Sequence, residues 1–358
     1  MQYPLIDLLR AVAVMLVLVF HVTMLGQWSA VTEARWTLPL QQGWIGVDLF
    51  LVISGFVITL SAGRDKLRNA PGFAKRFMTR RLRRVLPLYA LTSVVYVFMV
   101  RPELLTRPNQ ELLVQVAAHA LFLQNLTPLT HGTINGVTWS LALEMQFYLA
   151  LMCSIGYLLK RNAWSLLLGL VALAWAWRYG TTLLLQPADS TAHLRMVYST
   201  QLPGTIDSFG VGIALALLAL KGQTRWARRL QPGWPQCLGW MLTALVLMSA
   251  AWILFVPRSS YWDHTGMVVF WRTLLALGFG AAVTAAITCP LRGGGVVRPF
   301  LYLGRISYGI YLWHFPVLLA LLTLPGLRGS ALFFGVFSGA VLLASLSWHL
   351  MESHWTRK

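Results

Sequence analysis

The sequence predicts an all-α integral membrane protein of about ten transmembrane helices, with both termini cytoplasmic. Three observations carry that expectation. Of 358 residues, 57% are hydrophobic and 11% charged, where a soluble domain is typically about 25% charged. Apolar runs close to the roughly 20 residues that cross a bilayer as helix recur along the whole chain. The basic residues fall mostly in alternate connections between those runs, as the positive-inside rule requires.

The first run, 5–26, follows almost no positive charge and exceeds a signal-peptide core, so it reads as a retained span. Further spans are predicted at 44–62, 85–101, 138–159, 163–185, 204–221, 236–256, 267–288, 300–324 and 330–350. The segment "ELLVQVAAHALFLQ", 111–124, is too short to cross and reads as interfacial or re-entrant. Counting it as a span would invert every later connection. No long soluble domain, internal repeat or low-complexity tract is evident.

The formal net charge of +18 invites a nucleic-acid reading, and topology removes the need for one. In the order of spans given, 19 of the 29 Lys and Arg fall on one side and six on the other. Arg10, Arg178, Arg272 and Arg305 lie within spans. The connection 63–84, "GRDKLRNAPGFAKRFMTRRLRR", holds nine Lys or Arg against one Asp, which makes that side cytoplasmic. Lys160–Arg161, Lys221–Arg229, Arg292–Arg298 and the tail Arg357–Lys358 follow on the same side. Cys153, Cys237 and Cys289 are far apart, without CxxC spacing. Neither a metal site nor a disulfide framework is expected.

The first span carries Asp7, Arg10 and His21, although a charge at mid-membrane costs about 2.5–3.5 kcal/mol on insertion scales. Arg10 and His21 are eleven residues apart, about 20° from a whole number of turns, so they share one helix face with a rise of about 16.5 Å. Asp48 in "GWIGVDLFLVISGF", Glu144 in "VTWSLALEMQFYL" and His314 in "LGRISYGIYLWHFPV" fall near the depth of His21. Polar groups at such depth usually face a bundle interior or a water-filled cavity, and often pair. Each has a plainer alternative. Asp48 suits a helix-start hydrogen bond, His314 a packing role, and Arg10 snorkelling or an i, i+3 pair with Asp7. His119, His131, His193 and His264 sit in or beside outer segments and receive no role. The dense half of the basic connection, "RRLRRVLPLY", suits phosphate binding through Arg forks.

Five stretches in this order, "IDLLRAVAVMLVLVFHV", "GWIGVDLFLVISGFVIT", "FMTRRLRRVLPLY", "WSLALEMQFYL" and "LGRISYGIYLWHFPV", resemble the acyltransferase-3 superfamily, integral membrane O-acyltransferases of bacterial surface glycans. The resemblance covers essentially the whole chain. It implies an acyl-CoA donor, usually acetyl-CoA, on the cytoplasmic side of the bacterial inner membrane, with transfer to a glycan hydroxyl. No bound cofactor is implied. The family's first-span Arg and His fall on Arg10 and His21, its Arg-x-x-Arg on Arg81 and Arg84, and its Glu on Glu144. Ser307, Tyr308, Tyr311, His314 and Pro316 complete its "SYxxYLxHxP" segment. Two departures stand out: "STQLPGTIDSFGVGIALA" lacks an Arg often found there, and "MESHW" keeps Glu352 without the following Pro. The chain reads as one transmembrane acyltransferase domain, 1–358, without an appended SGNH-type domain.

The resulting expectation places CoA phosphates on Arg81, Arg84 and Arg10, with Ser307, Tyr308 and His314 also contacting substrate. His21 acts as general base, its unperturbed pKa near 6.5 suiting the task, and Glu144 or Asp48 orients its ring. A path through an acyl-histidine is the variant. Expected partners are acyl-CoA, a glycan or lipid-linked saccharide, membrane lipids and a separate periplasmic protein, with no nucleic acid. The competing class is a multi-span transporter with a His/carboxylate relay; its usual paired repeats are not evident.

Overall fold

The computed structural model describes residues 3–33, 37–68, 71–106, 109–185, 191–221, 229–291 and 294–353. Of the charges counted above, Arg35, Arg107, Arg225, Arg228, Arg292, Arg357 and Lys358 lie outside them. Among the described residues nine helices are long and apolar enough to cross a membrane, and a bent pair makes a tenth. No strand occurs among them.

The chain begins with α1 (Leu5–Gly26), α2 (Ile45–Leu67) and α3 (Phe73–Val95), which continues through a π-helical turn to Val100. A short α4 (Asn109–Ala120) precedes α5 (Trp139–Leu158), α6 (Ala163–Leu184), α7 (Leu202–Leu220) and α8 (Trp234–Phe255). Then come α9 (Arg272–Thr288), α10 (Arg298–Arg305), α11 (Ser307–Leu322) and α12 (Gly329–Ser347). At about 1.5 Å per residue, the 12-residue α4 cannot span, as its length predicted.

Two expectations change. The basic connection 63–84 is not a loop: α2 runs to Leu67 and α3 starts at Phe73. Among the described residues between them, Pro71 and Gly72 form a turn, with Gly72 at φ 74°, a conformation glycine adopts without steric cost. Nothing between Phe73 and Leu86 breaks a helix, so Arg81 and Arg84 are helical residues. The predicted span 300–324 is broken instead at Ile306, where α10 and α11 bend by 64°.

Helices α2, α7 and α9 form the interior, with 72–78% of their apolar windows buried, while α8 at 11% and α12 at 22% face outward. With hydrocarbon outside, helix association rests on close packing rather than on hydrophobic expulsion, and small residues permit it. Gly55 lies directly against the Phe209 backbone and Gly212 against Val52, bringing α2 and α7 into backbone contact. Gly46 meets the Ala13 carbonyl, and Gly304 meets that of Asp7. These contacts hold α1 against α2 and α10, fixing the helix that carries Arg10 and His21.

Candidate active site

His21 and His314 face each other across α1 and α11. His314 is fully buried and His21 half-buried. Their ring centroids are 5.1 Å apart, and His314 Nε2 lies 3.2 Å from His21 Nδ1. His21 Nδ1 is also 3.0 Å from the Val17 carbonyl, and His314 Nδ1 is 3.3 Å from that of Ile310. Carbonyls only accept, so the network assigns hydrogens to both Nδ1 atoms. His314 Nε2 then accepts from His21, and His21 Nε2 is left with its lone pair. That is the tautomer of a general base.

The carboxylates are placed differently from the expectation. Glu144 does not touch His21; it accepts hydrogen bonds from Ser54 Oγ at 2.9 Å and from the Tyr148 hydroxyl at 2.5 Å. Asp48 turns away altogether. Its carboxylate is 3.6 Å from the Arg272 guanidinium, which lies over the Trp44 ring. Beside it, Arg178 and Asp207 form a fully buried pair at 2.6 Å, bridged by Thr273. The groups that contact the His21 ring nitrogen are therefore His314 and a backbone carbonyl, and Asp48 belongs to a buried charge network among α2, α6, α7 and α9. Rise along a helix sets depth; it does not set direction. Asp48 and Ser54 are six residues apart, about 120° around α2, so only one of them can face α5.

Arg10, Arg84, Glu144, Tyr148, Ser307 and Tyr308 line one cavity of about 90 Å³ between α1, α2, α3, α5 and α11. Arg10 is held by Asp7 at 3.0 Å. Arg84 has no hydrogen-bond or ion-pair partner among the described residues. Arg81 lies instead over the Phe77 and Tyr148 rings, behind the wall that Tyr148 forms. Tyr308 donates to the Val85 carbonyl at 2.8 Å, and Ser307 opens α11 at the bend. Tyr311 joins the cavity to the histidines. It lines the cavity, meets Ser140 at 2.6 Å, and its ring lies tilted 5.7 Å from that of His314.

A second cleft lies toward the basic end of the bundle, walled by Tyr3, Ile6, Phe56, Arg64, Arg68 and Arg80. Ile6 is one turn before Arg10, and Arg80 one turn before Arg84, so the cleft and the cavity follow the same faces of α1 and α3. Among the described residues no group of three or more His, Cys, Asp or Glu is arranged to hold a metal. Sequence reasoning missed Ser54, Tyr148, Ser140, Arg64, Arg68 and Arg80. Tyr148, at i+4 from Glu144, was findable by spacing; Ser54 and Ser140, from other helices, were not.

Two histidines in contact beside a cavity lined by two arginines, a carboxylate and tyrosines, in an all-helical membrane bundle, suit the movement of a group onto or off an oxygen. Residues 3–349 match the family described as "Acyltransferase domain", and the chain belongs to this acyltransferase-3 family. It is 28% identical over 370 residues to the "Putative membrane-bound transacylase BcsY" of Komagataeibacter xylinus, covering 97% of this chain and 81% of that protein. It is 29% identical over 343 residues to the peptidoglycan O-acetyltransferase OatA of Listeria monocytogenes, covering 88% of this chain and 49% of that one. Against the O-acetyltransferase OatA of Staphylococcus aureus, identity is 25% over 331 residues, with 88% and 50% coverage. The chain thus spans about half the length of the two OatA proteins. No solved structure matches.

Proposed function

We propose that the chain transfers an acyl group, by family frequency acetyl, from cytoplasmic acyl-CoA to a hydroxyl of a cell-surface or lipid-linked glycan. Both termini face the cytoplasm of a bacterial inner membrane in this reading. The observation that carries it is the His21–His314 couple beside Tyr311, which lines the same cavity as Arg10 and Arg84. Donor phosphates meet the arginine-walled cleft and Arg84, and the pantetheine arm follows α1 toward Tyr311. The acceptor hydroxyl gives its proton to His21 Nε2 as its oxygen attacks the thioester carbonyl. His314 accepts from His21 Nδ1–H and holds the ring. When the tetrahedral intermediate collapses, the C–S bond breaks and the His21 proton passes to the departing sulfur. The names of the OatA relatives support an O-linked acetyl acceptor, and the cation spacing supports a phosphorylated donor.

The deciding experiment follows label from radiolabelled acetyl-CoA into glycan, in membranes holding the native protein or His21→Ala at matched abundance. Label with the native protein alone is expected. Equal label from both removes His21 from the chemistry. No label from either removes acetyl-CoA as donor.

A further inference from the structure

Pro316 sits inside α11, two residues beyond His314. It has no N–H, so the Leu312 carbonyl loses the donor that a helix supplies from position i+4. Within a bilayer no solvent replaces that donor, and an unsatisfied backbone group costs several kcal/mol. The structure supplies a substitute from outside the helix: Asn135 Nδ2 donates to Leu312 O at 3.0 Å. Because a carbonyl only accepts, the amide nitrogen is the atom that faces it.

Asn135 is built for this contact. It is fully buried and holds φ at 47°, a left-handed conformation that Asn tolerates better than most residues. Its own carbonyl accepts from Thr138 N at 2.9 Å, closing the turn that starts α5. Its neighbours grip α11 on either side of His314. Tyr311 donates to the Val137 carbonyl at 2.8 Å. Gly136 lies so close to Phe315 that a Cβ there would come within 2.9 Å of the ring. Phe315 in turn stands edge-on to His21 at 5.3 Å.

We infer that Asn135 is a positioning residue for the His21–His314 couple. It satisfies the carbonyl that Pro316 strands, and so fixes the part of α11 from which His314 reaches His21. The inference rests on the functional reading for its kinetic consequence alone. A histidine contact of 3.2 Å has little slack, and a displacement near 1 Å at a reacting group costs about 100-fold in rate.

A double-mutant cycle tests it in the full chain, using Asn135→Ala, Pro316→Ala and both together. Pro316→Ala returns an N–H to position 316 and restores the helical bond to Leu312. Asn135→Ala is expected to lower kcat about tenfold or more, with KM for acetyl-CoA changed less than about twofold. In the Pro316→Ala background, Asn135→Ala should lower kcat by less than about threefold. If Asn135→Ala fails to accumulate, the second substitution should restore its abundance. Equal losses in both backgrounds, or an inactive Pro316→Ala protein, would each overturn the inference. If the native protein transfers nothing, the functional reading fails by itself. The cycle is then scored on thermal unfolding midpoints, where additive effects overturn the role of Asn135 at the Leu312 carbonyl.

Discussion

Asp48 and Glu144 show how one residue type takes two roles in one bundle. Asp48 is paired with Arg272 in a buried network, and leaving one buried ion without its partner costs about 3–5 kcal/mol. Asp48→Ala should therefore lower the unfolding midpoint sharply, and Asp48→Ala with Arg272→Ala should recover part of the loss. Acetyl transfer per folded molecule should change little. A loss of turnover at full stability would return Asp48 to the chemistry. Glu144→Gln keeps the hydrogen-bonding shape toward Ser54 and Tyr148 but removes the charge facing Arg10 and Arg84. Its expected effect is about tenfold or more on kcat/KM for acetyl-CoA, with an unchanged midpoint. Unchanged steady-state kinetics would exclude an electrostatic role.

His131, in the connection before α5, stacks on Trp139 and meets His193 edge-on. Burial, with the neighbouring His193 charge, lowers its pKa from 6.5 to about 4. The unfolded imidazole binds its proton at higher pH than the folded one, so between those values the unfolded state holds more protons. Stability then rises with pH across that window and is lost as pH falls through it. His131→Asn should flatten the midpoint's slope between pH 6.5 and 4. An undiminished slope would assign that dependence to other groups.

At the scale of elements, the helix joints carry the site. Gly304 touches the Asp7 carbonyl, so α10 presses on the turn of α1 that holds Arg10. A methyl group added there overpacks a backbone contact, typically costing about 1–3 kcal/mol. Gly304→Ala is expected to lower the midpoint and to raise KM for acetyl-CoA, through displacement of Asp7 from Arg10. Wild-type values for both would show that the joint relaxes freely. Continuous helix through 73–95 matters for a similar reason: it places Arg80 and Arg84 one turn apart on a single face, which a loop would not fix.

At the scale of the molecule, α2, α7 and α9 with Arg178 of α6 hold the Asp48–Arg272 and Arg178–Asp207 pairs, while the cavity opens between α1, α2, α3, α5 and α11. The charge asymmetry predicts the orientation. A tag following Lys358 should resist protease in intact spheroplasts and be cut after lysis. Cutting in intact cells would reverse the proposed direction of transfer.

The sequence by itself determined that the chain is a helical membrane protein, where nearly every span lies, and at which position along its helix each of Arg10, His21, Asp48, Glu144 and His314 sits. Hydropathy and helical rise carry that information, and the ordered motifs carry the family. What the tertiary structure decided is which of those groups meet. A polar residue in a span seeks a partner at its own level, and several levels are shared, so depth alone leaves Asp48, Glu144 and His314 equally eligible for His21. The packing of the helices, with glycine contacts among α1, α2 and α7, sets the rotation of each. That rotation turned Asp48 to Arg272, Glu144 to Ser54 and Tyr148, and His314 to His21. Pro316 was visible in the sequence as a missing donor; that Asn135, 181 residues earlier, supplies it was visible only once the chain was folded.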